Sequence, residues 1–213
     1  GMVMYDPSYI KGVRALCNQY NIHLLTDEIA VGCGRTGTFF ACEHAEIWPD
    51  FMMLSKGISG GYLPLSLVMT TDEVFNQFYD DDIAHGFLHS HTYTGNPLAC
   101  RSALEVLKIF EDDSVLEKNI NLANFIYHEL EWVKTDSRLE NFRSTGMMFA
   151  FDVKHKHLPN HFPRRTFEVA GKHELLLRPI GNVVYIVPPY TINEEEVQHL
   201  SDAMKKTLDG VLI

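Results

Sequence analysis

The stretch HLLTDEIAVGCGRTGTFFACEHAEIWPDFMMLSKGISGG, His23 to Gly61, decides the fold. Ile22, Leu24 and Leu25 lead to an acid, Asp27; Phe51, Met52, Met53 and Leu54 lead to an amine, Lys56. Both apolar runs are short and both stop abruptly in polar residues. A buried parallel strand reads this way when its carboxyl end opens into a site. Two neighbouring strands then deliver Asp27 and Lys56 to one rim of a sheet, where α/β proteins bind their ligands.

A lysine at a buried rim can lose its proton and attack an aldehyde. A carboxylate opposite a heteroaromatic nitrogen favours the protonated ring, which then acts as an electron sink. The plainer alternative is that Asp27 caps a loop and Lys56 is a solvated surface residue, where lysine is usually found.

The motifs around the pair add to this. TDEI-x-x-G-x-GRTG (Thr26 to Gly37), followed by SKG-I-S-GG (Ser55 to Gly61), resembles the class III, or ω-, aminotransferases of the fold-type I pyridoxal-phosphate family. ACEHAEIWPD (Ala41 to Asp50), HTYTGNPLAC (His91 to Cys100) and LRPIGNVVYIVPPY (Leu177 to Tyr190) are similar to the biotin-pathway branch of that family. The resemblance runs over essentially the whole chain but over only the C-terminal half of the family's usual protein. It implies an α/β fold, a mostly parallel sheet with helices, followed by a small α+β C-terminal domain. It also implies pyridoxal 5'-phosphate as cofactor, with Lys56 bonding it and Asp27 facing its pyridinium nitrogen. By the same resemblance Thr92 reaches across a homodimer interface to the phosphate of the other subunit's cofactor. Arg178 binds the substrate carboxylate and Tyr185 sits in the same pocket. Where the family often has glycine-proline before the threonine, this chain has Ser90-His91. The family's N-terminal half carries a glycine/serine phosphate cradle and aromatic residues over the ring, and this chain has neither. The reaction implied is transfer of an amino group from S-adenosylmethionine to 8-amino-7-oxononanoate. Other readings stay open: a class III enzyme for ornithine, 4-aminobutyrate or another ω-amine, a pyridoxal-phosphate racemase, or an inactive fragment.

Bulk properties narrow the class. The 213 residues are 46% hydrophobic and 22% charged, ordinary for a globular α/β chain. A net charge of −10 argues against a nucleic-acid partner, which calls for a basic face. No apolar run approaches the roughly 20 residues of a membrane span, and GMVMYDPSY has no signal-peptide pattern. The four cysteines, Cys17, Cys33, Cys42 and Cys100, lack CxxC spacing and read as reduced thiols of a cytoplasmic protein.

Outward from the central stretch, residues 1–5 read as the tail of something upstream. Asp6-Pro7 caps and opens a helix that Asn21 stops. Arg35 lies in the glycine loop, either near a substrate entrance, as in the family, or in a loop salt bridge. Phe39 to Trp48 reads as a short helix, Leu65 to Thr70 as a strand, and Thr71 as a helix cap. Asn96-Pro97 opens a long helix, and Val115 to Lys134 forms a second. The break at Glu111 to Ser114 sets a boundary between a cofactor-binding part, 1–113, and a small domain, 114–213.

In the C-terminal part, Phe142 to Val153 reads as a strand bent at Gly146, and Phe162 to Leu175 as a helix. Leu176 to Pro179 and Val183 to Val187 read as strands around Gly181-Asn182. Arg178 breaks an otherwise apolar run, and a buried arginine needs an anionic partner, a carboxylate being the bidentate match. The competing role is a structural salt bridge. Asn193 caps the last helix. His89 with His91, and His155, His157 and His161, are spaced loosely for a metal site; solvated loops account for both groups, and no metal is expected.

Overall fold

A computed structural model describes residues 1–212. The chain divides into two compact units: Tyr5–Leu116, and Glu117 onward together with Gly1–Met4. The first four residues therefore belong with the C-terminal unit. There Arg143 Nε donates to the Met2 carbonyl at 2.8 Å, and Thr145 Oγ1 lies 3.3 Å from Met4 Sδ.

The first unit holds a three-stranded sheet in the order β1 (Leu25–Asp27), β2 (Phe51–Leu54), β3 (Leu67–Thr70). β1 and β2 are parallel, with Asp27 opposite Met53; β3 runs antiparallel to β2. Only the central strand matches the buried strands the sequence suggests. Met52 and Leu54 of β2 are 2% exposed, whereas Leu25 of β1 is 56% exposed because β1 is an edge. Met52 and Leu54 pack with Cys42, Ala45 and Ile47.

Helix α1 (Pro7–Tyr20) starts as its sequence dictates. Asp6 accepts from the Ser8 N–H, Pro7 takes the first turn, and Asn21 ends the helix in the left-handed region at φ 51°. The expected helix over Phe39 to Trp48 is only a 3-10 turn, Ala41–Ala45, ended by Glu46 at φ 54° before Trp48-Pro49. Thr71 caps a single turn, α2 (Asp72–Phe75). Asn96 caps α3 (Pro97–Asp112), accepting from the Leu98 N–H at 2.9 Å.

Asp50 ties α1 to β1. Its Oδ2 accepts from the Leu24 N–H at 2.6 Å and from Arg14 at 2.8 Å. Burial works against the ionised carboxylate, but these two donors outweigh it and hold the pKa below the usual carboxylate range. A lowered folded-state pKa stabilises above the unfolded value, and that stability is lost as pH falls through the folded value. Asp50→Asn therefore costs about 1–3 kcal/mol at neutral pH. In acid titrations followed by circular dichroism, the gap from the parent protein closes as pH falls through that lowered value. A gap that persists at low pH contradicts the assignment.

The second unit is α+β. Helix α4 (Val115–Glu129) ends short of the expected Lys134, and a separate 3-10 turn, Glu131–Lys134, follows. The single bent strand expected over Phe142 to Val153 is a hairpin of β4 (Leu139–Thr145) and β5 (Met148–Val153). Gly146, at φ 51°, supplies the left-handed turn conformation. Strand β6 (Val183–Ile186) pairs with β5, and helices α5 (Phe162–Gly171) and α6 (Glu194–Val211) pack together. Asn193 and Glu196 form a reciprocal capping box on α6. The core is drawn from every element: Ile126, Phe149, Phe151, Phe162, Val184 and Met204 are each under 2% exposed.

The expected strand at Leu176 to Pro179 does not form. Pro179 has no N–H for a ladder, and only an isolated bridge joins Ile180 to Val183. The helix before it stops at Gly171, not Leu175.

Candidate active site

The parallel register brings the carboxyl ends of β1 and β2 to one edge of the sheet. Asp27 is the last residue of β1, and Lys56 lies three residues past Met53, its partner in register. Both are exposed. Asp27 Oδ1 accepts from the Ile29 N–H at 3.0 Å, which fixes the carboxylate locally. Among the described residues neither Asp27 nor Lys56 forms an ion pair, with each other or with any other residue.

The turn that presents Lys56 is held tightly. Lys56 sits in the left-handed region at φ 47° and opens a 3-10 turn, Lys56–Ser59. Such a conformation is uncommon for a residue with a side chain and persists only where the surroundings fix it. Ser55 Oγ donates to the Leu65 carbonyl at 2.8 Å, and Ser59 Oγ to the Leu63 carbonyl at 2.6 Å. Ile58, 3% exposed, packs with Cys33 and with Ala103 of α3. Ser102 of α3 donates to the Ser59 carbonyl at 3.0 Å, a contact that the small residues on that helix face allow. At Gly57 an added Cβ would lie 2.8 Å from Cys33 Cβ, so no side chain fits beside Lys56 there.

Glu28, which sequence reading passed over, is the buried acid of this region, at 3% exposure. Its two oxygens accept from the Ala41 and Cys42 N–H groups at 2.8 and 2.9 Å. The signal was an acid directly after Asp27 in an otherwise apolar context. Burial, with the Glu28 charge added, pushes the Cys33 thiol up to about 11 and the Cys42 thiol up to about 12. Arg35 is half-buried in the same loop, and its charge acts in the opposite direction on Cys33.

Thr92 is exposed, between His91 and Tyr93, in a turn where the His91 N–H donates to Thr94 Oγ1 at 3.0 Å. His91 Nδ1 accepts from the Tyr93 N–H, and His85 pairs with Asp80 at 2.8 Å. No three metal-ligating side chains come together among the described residues.

Arg178 and Tyr185 lie in the second unit. The expectation of a buried Arg178 on a strand is overturned: it is exposed, on an irregular segment held by Pro179. It lines a shallow concavity of about 390 Å³ with Pro163, Arg164, Phe167 and Pro179. Tyr185 is half-buried on β6, opposite Ala150, and does not line that concavity.

The pattern of class III aminotransferases matches residues 1–208. The adenosylmethionine-8-amino-7-oxononanoate aminotransferase of Helicobacter pylori is 45% identical over 98% of this chain and 49% of its own length. The enzyme of the same name from Aquifex aeolicus is 41% identical over 96% of this chain and 47% of its own. The crystal structure of the Methanocaldococcus jannaschii adenosylmethionine-8-amino-7-oxononanoate aminotransferase superposes with a TM-score of 0.91 at 35% identity. It covers 99% of this chain and 51% of that one. The chain thus spans about half the length of the curated relatives it matches.

Proposed function

The chain belongs to the class III aminotransferases, which work with pyridoxal 5'-phosphate, and we propose that it forms the C-terminal half of their biotin-pathway enzyme. That enzyme moves an amino group from S-adenosylmethionine to 8-amino-7-oxononanoate and yields 7,8-diaminononanoate. The fold is that of the C-terminal part of a fold-type I transferase. The substrates are supported by the names of the relatives at 45% and 41% identity. The chemistry is supported by one observation above all: parallel pairing of β1 and β2 brings the strand ends that carry Asp27 and Lys56 to one rim, with no ion pair to either among the described residues.

The residues fit the ring end of the cofactor. Lys56 Nζ would hold its aldehyde carbon, and the Asp27 oxygen not engaged by Ile29 would face the ring nitrogen. The bound cofactor supplies an electron sink that makes the donor's α-C–H acidic. The Lys56 amine would be the base that takes that proton and later returns it. The Asp27 carboxylate would supply the counter-charge to the ring nitrogen. In this reading residues 1–113, less the first four, which pack with the C-terminal unit, form the cofactor-binding domain, and 114–213 the small domain. The protein works as a cytoplasmic homodimer in which Thr92 reaches the phosphate held by the partner subunit. Four free cysteines are in keeping with a reducing compartment. No helix among the described residues is long and apolar enough to cross a membrane. Arg178, in no ion pair among the described residues, would be available for the acceptor's carboxylate, and Tyr185 would contact the same substrate.

Donor specificity tests the assignment. With 8-amino-7-oxononanoate as acceptor, S-adenosylmethionine should support turnover at least about a hundredfold above ornithine or 4-aminobutyrate, a difference of about 2.7 kcal/mol. Equal or better turnover with ornithine places the enzyme in another branch of the family.

A further inference from the structure

Glu28 stands one residue from the proposed ring partner, yet no sheet contact or core packing requires an acid there. It is almost fully buried, and a buried carboxylate is costly unless its oxygens are satisfied. No cation pairs with it among the described residues. Its two oxygens instead take the Ala41 and Cys42 N–H groups that open the 3-10 turn. Its backbone is fixed as well. The Glu28 N–H donates to the Met53 carbonyl at 3.0 Å, extending the β1–β2 pairing past Asp27. The Glu28 carbonyl accepts from the Gly32 N–H at 2.8 Å. One residue thus closes both ends of the loop 28–42. That loop carries Cys33, whose side chain abuts Gly57, the residue after Lys56.

We propose that Glu28 is a positioning residue for the reaction, acting through Asp27 on one side and through the Cys33–Gly57 contact on Lys56 on the other. The inference rests on the assignment of Asp27 and Lys56 made above. A neutral amide at position 28 keeps the shape but turns an NH₂ group toward one of the two backbone donors. The loop is then released, and the strained turn at Lys56 loses the wall it rests on.

The test uses Glu28→Gln in the holoenzyme, with Ala41→Pro as a second variant. Ala41→Pro leaves the carboxylate intact and deletes one of its donors at a position where a turn tolerates proline. Iodoacetamide labelling of Cys33 and Cys42, read by peptide mass spectrometry on cofactor-free protein, reports release of the loop. Both variants should label at least about tenfold faster than the parent, since burial is what protects these thiols. On cofactor-loaded protein, kcat should fall at least about tenfold with KM little changed, and the visible absorbance band should shift. An interaction used at the reacting groups, not in substrate binding, gives that split. Failure of Glu28→Gln to fold leaves Ala41→Pro to decide. Unchanged labelling in the variant that folds overturns the clamp. Faster labelling with unchanged kcat and band overturns the positioning role and leaves Glu28 a purely structural residue. A parent protein that shows no cofactor band at all contradicts the underlying assignment, and with it this proposal, whatever the labelling shows.

Discussion

Lys56→Ala lowers transamination by at least about a thousandfold and removes the visible absorbance of the loaded protein. The size follows from what the side chain does twice. In the proposed site it would hold the aldehyde carbon of the cofactor, and its amine would be the base that moves the donor's α-proton. Proton transfer by a positioned side chain alone contributes about a hundredfold to ten-thousandfold. No neighbouring amine can substitute: no other lysine lies between Arg14 and Lys108. The fold should tolerate the change. Lys56 is exposed, and its turn is held by Ser55, Ser59 and Ile58, not by the lysine side chain. The left-handed φ of 47° is about as costly for alanine as for lysine, since both carry a Cβ, so thermal stability should change little. Steady-state kinetics and an absorbance spectrum on matched, folded samples decide it; activity within tenfold of the parent places the covalent amine elsewhere.

Asp27→Asn has the second largest effect, a loss on the order of a hundredfold to a thousandfold, the range found when one electrostatic stabiliser is removed from a site. The variant is nearly isosteric, and its carbonyl oxygen can still accept from the Ile29 N–H. What it removes is the charge. In the proposed site, loss of the carboxylate opposite the ring nitrogen would leave that nitrogen less readily protonated, and the ring would withdraw electrons less well. The loss should therefore fall on kcat, with Lys56 still able to hold the cofactor. That distinguishes the variant from Lys56→Ala, in which the absorbance itself disappears. If Asp27→Asn retains full turnover, the carboxylate is a loop cap and no more.

The two strand ends and their caps were legible in the sequence because each obeys a local rule. The caps at Asp6-Pro7, Asn96-Pro97 and Asn193 are short-range hydrogen-bonding devices, and all three appear as read; the structure adds a reciprocal bond from Glu196. The Asp27–Lys56 rim was legible for a related reason: apolar runs of three or four residues ending in polar ones are strands with open carboxyl ends. Arg178 was misread because an arginine among apolar neighbours suggests burial, whereas Pro179 keeps that segment out of the sheet and leaves the guanidinium exposed. The hairpin at Gly146 was read as one strand because Met147 and Met148 keep the apolar run going across the turn. Glu28 escaped notice because its partners, the Ala41 and Cys42 N–H groups, stand thirteen and fourteen residues away and carry no side-chain signature. Backbone donors are invisible to pattern reading.

The most direct test of the central claim is to load the protein with pyridoxal phosphate, reduce it with borohydride and map the modified residue by peptide mass spectrometry. The prediction is a single phosphopyridoxyl adduct on Lys56, absent from Lys56→Ala. An adduct on any other lysine, or an unmodified protein under conditions that label a known class III aminotransferase, contradicts it.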